Sequence, residues 1–392
     1  MTIEELPRAE TDPRLEAVRA RVARAGARLR QGPAHGGGLP VQPPGPVPLA
    51  PGQAGIWFSE QLRPGTPLYN VPLAVRLTGP LDVDALRAAL DAVTTRHEAL
   101  RTVFRLGPDG EPVQQAAPAA PVALPVIDVT EADLPQALRT AAEQPLDLER
   151  GPLLRACLHR IGAKQHVLLV TVHHIVLDGW SGGLLLADLA RAYAGELPAG
   201  VAAPAFRDVA AWQHGRLAAG ALDDQLRYWR QRLAGLPDLE IPGDRQRPAD
   251  RDWRAHSVRR ELPAATGAAV RRLAAAHDTT PFTVLLAAYG TFLHRLTGQD
   301  DFAVGVPVAG RGRTDLESVV GLFAGMVPVR LDLTGRPSFD EVLSRSGSRT
   351  SPTTSRPWNG PSARSGIPSR CGPPAATPGR RRSPGCTRRP AR

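Results

Sequence analysis

The sequence predicts an α/β protein that is large enough for two lobes. Short apolar runs of strand length alternate with segments whose apolar residues recur at helical spacing, as in residues 71–77 followed by 83–94. The clearest strand pattern lies at 167–172, and a helical pattern follows it after a short connection. A chain of 392 residues can bury the cores of two domains or two large lobes.

The remaining elements are predicted from the same periodicities and from turn residues. The pair Asp109-Gly110 indicates a hairpin-like turn. Residues 145–162 predict a turn followed by a strand, and that strand is expected to pair with residues 166–173. Further patterns predict, in chain order, a helix at 131–143, a helix after 273, a long apolar helix from Pro281, a turn at 298–301 and the strand that follows it.

The net charge of +10 is concentrated at one end of the chain. Residues 345–392 hold eleven arginines and no Asp or Glu, so the first 344 residues carry a net charge of −1. A nearly neutral folded part argues against nucleic-acid binding. A nucleic-acid binder that relied on the basic tail would lose its affinity when residues 346–392 are removed.

Cysteine use and hydropathy bound the cellular context. Cys157, Cys371 and Cys386 show neither CxxC nor Cys/His ligand spacing, so we expect no disulfide framework and no metal site. Cys157 is expected to be a small buried residue. Residues 1–10 are acidic and polar, and no run of 18 apolar residues occurs. We therefore expect a soluble cytoplasmic protein with no membrane partner.

The segment 167–180, VLLVTVHHIVLDGW, carries the candidate chemistry. Six apolar or β-branched residues at 167–172 predict a strand buried on both faces, and it ends in His173 and His174. A histidine there is either a general base, since its ordinary pKa is near 6.5, or a hydrogen-bonded core residue. Neighbouring strand residues point to opposite faces, so one histidine is expected to act and the other to support it, unless the strand has already ended.

Asp178 also has two interpretations. It is placed to cap the helix that begins at Gly179, a contact worth about 1 kcal/mol. Alternatively, it is a buried carboxylate paired with an arginine, where loss of one partner costs about 3–5 kcal/mol.

The pattern His173-His174-x-x-x-Asp178-Gly179 resembles the signature of the condensation domains of nonribosomal peptide synthetases, in the chloramphenicol-acetyltransferase-like superfamily. Further segments in the same order resemble other core motifs of that family: residues 49–62 with 69–72, residues 96–104, and residues 319–333. The resemblance covers residues 48–345. It implies two chloramphenicol-acetyltransferase-like α/β lobes in a V, with the histidine loop at the bottom of a channel between them.

The resemblance also implies a reaction. An acceptor amine attacks an upstream aminoacyl or peptidyl thioester to form an amide. The domain itself binds no cofactor, because both substrates arrive on the 4′-phosphopantetheine arms of upstream and downstream peptidyl carrier proteins. An adenylation domain is a further expected partner.

Roles for individual residues follow from the resemblance. His174 positions or deprotonates the amine, and the backbone amide of Gly179 stabilises the developing oxyanion. His173 and Asp178 hold the loop. Trp180 and Ser181 belong to the channel, and Asp178-Gly179-Trp180-Ser181 favours a condensation domain over an epimerisation or a heterocyclisation domain. The expected partner of Asp178 is Arg101, with Arg96 as the second choice.

Gly325 departs from the family pattern. The family usually carries an asparagine there, near the active channel. Its replacement by glycine indicates impaired catalysis or a divergent subgroup. Two alternatives stay open besides amide formation. Another acyltransferase of the superfamily would use the same histidine with coenzyme A or an alcohol, and a non-catalytic scaffold that binds carrier proteins would fit Gly325 and the missing C-terminal part.

The predicted organisation has four parts. An amphipathic helix at 13–30 and a Gly/Pro linker occupy residues 1–47, an N-terminal condensation lobe occupies 48–215, and a partial C-terminal lobe occupies 216–345. Residues 346–392 lack Leu, Val, Phe and Met, so we expect a disordered basic tail. The family's sixth motif is missing, and we interpret the tail as the product of a reading-frame slip near residue 345.

Overall fold

A computed structural model describes residues 39–198, 204–243 and 258–354, and its side chains are described as far as residue 346. The helix predicted within residues 13–30 lies outside the described residues, as does the tail from 355 onward. Statements about elements and contacts below refer to the described ranges.

A four-stranded sheet carries the histidine pair. Its strand order is β2–β7–β6–β5, with β2 at Asn70–Thr78, β5 at Val126–Asp128, β6 at Leu154–Gly162 and β7 at Gln165–His173. Strand β7 is antiparallel to both of its neighbours, and Asn70 lies opposite His173. Every residue of β7 from His166 to His173 is buried, which confirms the prediction of a strand covered on both faces.

A three-stranded sheet lies earlier in the chain. It is ordered β1–β4–β3, formed by Val47–Pro48, Pro112–Ala116 and Thr102–Leu106. Strands β3 and β4 form the predicted hairpin, and Gly110 supplies its left-handed turn residue with a φ of 81°. The helices in this part are α1 (Pro51–Leu62), α2 (Val83–Arg96), α3 (Leu134–Ala142), α4 (Gly179–Tyr193), α5 (Phe206–Ala218) and α6 (Asp223–Arg232).

The later part of the chain forms a helical layer on a two-stranded sheet. Its elements are α7 (Ala264–Ala276), α8 (Pro281–Thr297), β8 (Asp301–Val308), β9 (Gly325–Asp332) and α9 (Phe339–Thr354). Thr280 caps α8 through its hydroxyl, Pro281 opens the helix, and Gly298 ends it in the left-handed region. Strands β8 and β9 pair antiparallel.

Helix α9 runs past residue 345, where we expected the ordered part to end. The Ser346 hydroxyl donates a hydrogen bond to the Val342 carbonyl within the helix, 2.8 Å away, and is buried there. A serine can satisfy its hydroxyl on the preceding helical turn, so the change of composition does not by itself stop the helix.

The hydrophobic core has two clusters. The first is built mainly from β6, β7, α2 and α4, and the second from α8, β8, β9 and α9. The connection between β8 and β9, residues 309–324, belongs to the first cluster: Leu316, Val319, Val320, Leu322 and Phe323 are buried in it. Because this connection leaves its own sheet to pack on the histidine-bearing part, it brings distant side chains to the candidate site.

Candidate active site

The two histidines lie on either side of a change in backbone geometry. His173 is the last residue of β7, and His174 begins a short 3₁₀ turn, His174–Val176, which we call the histidine turn. His173 is buried and His174 is partly exposed. The strand has therefore ended between them, and the alternation of strand side chains no longer fixes their directions.

The ring of His174 is held by a backbone carbonyl. Its Nδ1 lies 2.6 Å from the Leu177 oxygen, while its backbone N–H donates to the Tyr69 carbonyl at 2.8 Å. A carbonyl oxygen only accepts, so in the neutral ring Nδ1 carries the hydrogen and Nε2 keeps a free lone pair. This is the tautomer that a general base with a reactive Nε2 requires.

His173 is held in the opposite way. Its Nδ1 accepts a hydrogen bond from the backbone N–H of Ile175 at 3.2 Å, so the neutral ring carries its hydrogen on Nε2. That Nε2 lies 3.5 Å from Oε1 of Glu60, a buried residue of α1. Both ring nitrogens of His173 therefore face protein groups, which fits a supporting role.

The Asp178 carboxylate both caps a helix and pairs with an arginine. It caps α4, with Oδ1 accepting the Ser181 N–H at 2.8 Å. Its Oδ2 accepts the N–H groups of Phe323 and Ala324 at 3.0 and 3.2 Å, and Nη2 of Arg311 lies 3.2 Å from Oδ1. The side chains of Asp178 and Arg311 are each only 2% exposed.

The prediction that Arg101 or Arg96 pairs with Asp178 is wrong. Arg101 donates from Nη1 to the Ala117 carbonyl, and Arg96 donates from Nε to Oδ2 of Asp188 at 3.1 Å. Asp188 is ten residues along α4 from Asp178, or roughly 15 Å at the helical rise. Arg96 therefore reaches the same helix but a part nearly three turns away from the histidine turn.

Arg311 is the partner that sequence reasoning missed. Its Nη1 donates to the carbonyls of Leu316 and Val319 at 2.6 and 2.7 Å, and its Nη2 donates to the Ser181 hydroxyl at 2.7 Å. Its guanidinium lies 3.8 Å from the ring centroid of Phe323. Burial lowers the pKa of Arg311 and the nearby Asp178 carboxylate opposes that shift, but an arginine stays charged in proteins.

The Ser181 side chain does not line an open channel, contrary to our expectation. It is fully buried. Its hydroxyl donates to the Gly321 carbonyl at 2.8 Å and accepts the Gly321 N–H at 3.1 Å. Trp180 is 49% exposed and donates from Nε1 to the Glu317 carbonyl at 3.0 Å. It lines a shallow groove of about 580 Å³ whose lining does not include His174.

The two glycines named from the sequence lie beside this network. Gly179 opens α4, and a Cβ placed on it would meet no atom within 4 Å, so the space beside the first peptide of the helix is open. N–H groups at a helix N-terminus lack intrahelical acceptors and favour negative charge. Gly325 begins β9 directly after Ala324, whose N–H binds Asp178.

Three further observations concern a cysteine, metal ligands and helix hydropathy. Cys157 is buried, and burial raises the pKa of its thiol. Within residues 39–198, 204–243 and 258–354, no three His, Cys, Asp or Glu side chains are grouped to hold a metal ion. None of the described helices has the length and apolarity that a membrane crossing requires.

Comparison with known proteins decides the family. The model of the condensation domain matches residues 45–352. This chain belongs to the condensation-domain family. The resemblance drawn from the HHxxxDG pattern is thereby confirmed, and so is the predicted α/β fold.

Relatives of this condensation domain include nonribosomal peptide synthetases. It is 42% identical over 336 residues to the probable non-canonical synthetase CymA of Salinispora arenicola, and 40% identical over 320 residues to a linear gramicidin synthase of Brevibacillus parabrevis. These matches cover 82% and 78% of this chain. The chain spans only 4% and 6% of the length of those two proteins.

Solved structures show the same fold. The X-domain from teicoplanin biosynthesis matches with a TM-score of 0.74 at 35% identity, covering 82% of this chain and 74% of that one. The first condensation domain of the calcium-dependent antibiotic synthetase, solved with a substrate analogue, matches with a TM-score of 0.68 at 25% identity. That match covers 79% of this chain and 75% of that domain.

Proposed function

We propose that this condensation domain forms an amide bond between a carrier-bound acyl or peptidyl thioester and a carrier-bound aminoacyl amine. The observation that carries the proposal is the His174 ring, whose Nδ1 is bound to the Leu177 carbonyl at 2.6 Å, so that Nε2 is left without a hydrogen. A partly exposed imidazole in this tautomer is ready to accept a proton from an incoming amine.

The proposed reaction transfers the acyl group from sulfur to nitrogen, and His174 carries the proton. The acceptor amine attacks the thioester carbonyl, the new C–N bond forms, the C–S bond breaks, and the donor arm leaves as a thiol. His174 Nε2 takes the proton that the amine loses and returns it to the leaving sulfur. General-base assistance of this kind contributes about 10²–10⁴-fold in rate.

Charge that develops on the carbonyl oxygen needs a donor. We assign this role to the Gly179 N–H, at the first position of α4, because helix N-termini stabilise negative charge and Gly179 is exposed. Asp178 caps the same helix. His174 and the Gly179 N–H therefore lie on one short connection that the Asp178 contacts hold in place.

The partners proposed for this reaction are upstream and downstream peptidyl carrier proteins, each with a 4′-phosphopantetheine arm, and an adenylation domain that supplies them. The relatives support this proposal because they are multidomain synthetases in which a segment like this chain is a small fraction of the whole.

The decisive experiment compares the wild-type protein with His174→Ala on loaded donor and acceptor carriers. We expect amide formation to fall by about 10²–10⁴-fold, with an unchanged circular dichroism spectrum and unchanged carrier affinity. His294→Ala, which changes a partly exposed histidine of α8, is the control and should keep the wild-type rate. Full amide formation by His174→Ala would refute the role given to His174.

The same assay separates the two alternatives. A superfamily acyltransferase of another kind would turn over a coenzyme A thioester or an alcohol in place of the carrier-bound pair. A non-catalytic scaffold, an alternative favoured by Gly325, would bind carriers and leave them unreacted even as the wild-type protein.

A further inference from the structure

Helix α1 buries only two of its twelve residues, and both are polar. They are Gln53 and Glu60, seven positions apart and therefore on one face of the helix, two turns apart. A helix normally turns an apolar stripe towards the core. Burying an ionisable carboxylate costs several kcal/mol unless a partner compensates it. The partners of these two side chains therefore need an explanation.

Gln53 contacts the histidine turn through its side-chain amide. Its Nε2 donates to the carbonyl of Ile175 at 3.1 Å. Its Oε1 accepts the Ala50 N–H and the Gln114 side-chain amide, each at 2.9 Å. The amide orientation of Gln53 is thus fixed by α1 and β4 before it meets the turn.

Glu60 reaches the same turn through His173. Oε1 of Glu60 lies 3.5 Å from Nε2 of His173, and the two residues are 7% and 1% exposed. Among the described residues, neither of these two atoms has a hydrogen-bond partner, and the 3.5 Å contact brings each one to face the other. Since His173 Nδ1 accepts the Ile175 N–H, the ring hydrogen on Nε2 faces Glu60.

The contacts of Gln53 and Glu60 hold both backbone polar groups of Ile175. Gln53 binds the Ile175 carbonyl, and Glu60 acts through His173 on the Ile175 N–H. Ile175 is the middle residue of the turn that begins at His174 and leads to the Leu177 carbonyl. Helix α1 therefore fixes the peptide on which the His174 ring geometry depends.

We propose that Glu60 is a positioning residue that stabilises the Nε2–H tautomer of His173 and thereby holds the turn that presents His174, whose own Nδ1–H tautomer is set by the Leu177 carbonyl. The Ile175 N–H favours a bare Nδ1 on His173, and Glu60 reinforces that preference by offering an acceptor to the hydrogen on Nε2. Without Glu60 the buried Nε2–H faces no acceptor, so the preference for this tautomer and the hold on the Ile175 N–H both weaken. The effect on rate rests on the proposed function, whereas the tautomers do not.

The first test is spectroscopic and needs no substrate. Nitrogen-15 NMR of the histidine rings in the wild-type protein near pH 8 reports which nitrogen carries the hydrogen. We expect protonated Nε2 and bare Nδ1 for His173, and the reverse for His174. The same tautomer at both positions, or the opposite assignment, would overturn the proposal.

The second test compares two substitutions of Glu60, one that removes the acceptor oxygen and one that keeps it. Glu60→Leu removes the acceptor, and we expect a mixed His173 tautomer and a fall in kcat of about 10–100-fold, as for a misplaced catalytic group, with unchanged KM for the carriers. Glu60→Gln keeps an acceptor oxygen and should restore the tautomer and part of kcat. An unchanged His173 tautomer in Glu60→Leu would overturn the proposal even if kcat falls.

A matched control removes a carboxylate–histidine contact elsewhere. Asp188→Asn changes the acid that lies 2.9 Å from His97 Nε2, away from the histidine turn. It should leave the His173 and His174 tautomers and kcat as in the wild type. If Glu60→Leu does not fold, the wild-type spectrum and Glu60→Gln decide. If the wild type forms no amide but shows the predicted tautomers, which shift in Glu60→Leu, the proposed function fails and this inference stands.

Discussion

Arg311 and Asp178 form a buried ion pair, with Nη2 lying 3.2 Å from Oδ1, between residues 133 positions apart in the chain. The pair joins the β8–β9 connection to the first turn of α4, and therefore to the histidine turn. Both partners have further hydrogen bonds, so neither charge relies on the other alone. A buried ion pair is tolerated when further hydrogen bonds satisfy both of its charged groups.

Removal of Arg311 should be costly for stability. Arg311→Ala leaves the Asp178 carboxylate buried without its cation, and we expect a loss of about 3–5 kcal/mol in the free energy of unfolding. Urea titration followed by circular dichroism measures it. Arg160→Ala, which removes one partner of the exposed Arg160–Asp128 pair, is the control and should change little. Equal losses in the two variants would contradict the importance of the buried pair.

Stability should decrease in mild acid, in part because of His159. This side chain is buried in β6, and neither ring nitrogen has a hydrogen bond among the described residues. Burial lowers the pKa of His159 below its ordinary value. The unfolded chain therefore binds a proton more readily than the folded one. Its stabilising contribution is present above about pH 6.5 and is lost as pH falls below that value.

The test measures the free energy of unfolding between pH 7.5 and 5.5. His159→Leu removes the titrating group, so we expect a smaller decrease over this range than in the wild type. His97, whose pKa burial also lowers, stays in both proteins and accounts for part of the remaining slope. Identical slopes would show that His159 does not become protonated on unfolding in this range.

Gly321 should tolerate no side chain. A Cβ at this position would lie 2.0 Å from Cδ2 of Phe206, a buried ring that packs edge-on against Phe323. Gly321→Ala should therefore cost about 1–3 kcal/mol through overpacking and weaken the contacts to Ser181. Gly215→Ala, in α5 with open space around it, is the control and should stabilise the protein by about 0.5–1 kcal/mol. A neutral effect of Gly321→Ala on the melting temperature would contradict this packing.

Local patterns in the sequence were enough to predict most elements and the residues of the histidine segment. The apolar run before His173 predicted β7, the helical pattern after the short connection predicted α4, and Asp109-Gly110 predicted the β3–β4 hairpin. These features depend on residues a few positions apart, where strand and helix periods and turn preferences are expressed directly.

Only the tertiary structure decided how the segment is held. The partner of Asp178 is Arg311 and not Arg101, because the β8–β9 connection crosses to the first core, and no local pattern encodes a contact over 133 residues. The tautomers of His173 and His174 depend on a carboxylate in α1 and a carbonyl after the turn. The sequence determines that these residues are histidines. Which ring nitrogen carries the hydrogen depends on the groups that the fold brings within about 3 Å of each nitrogen.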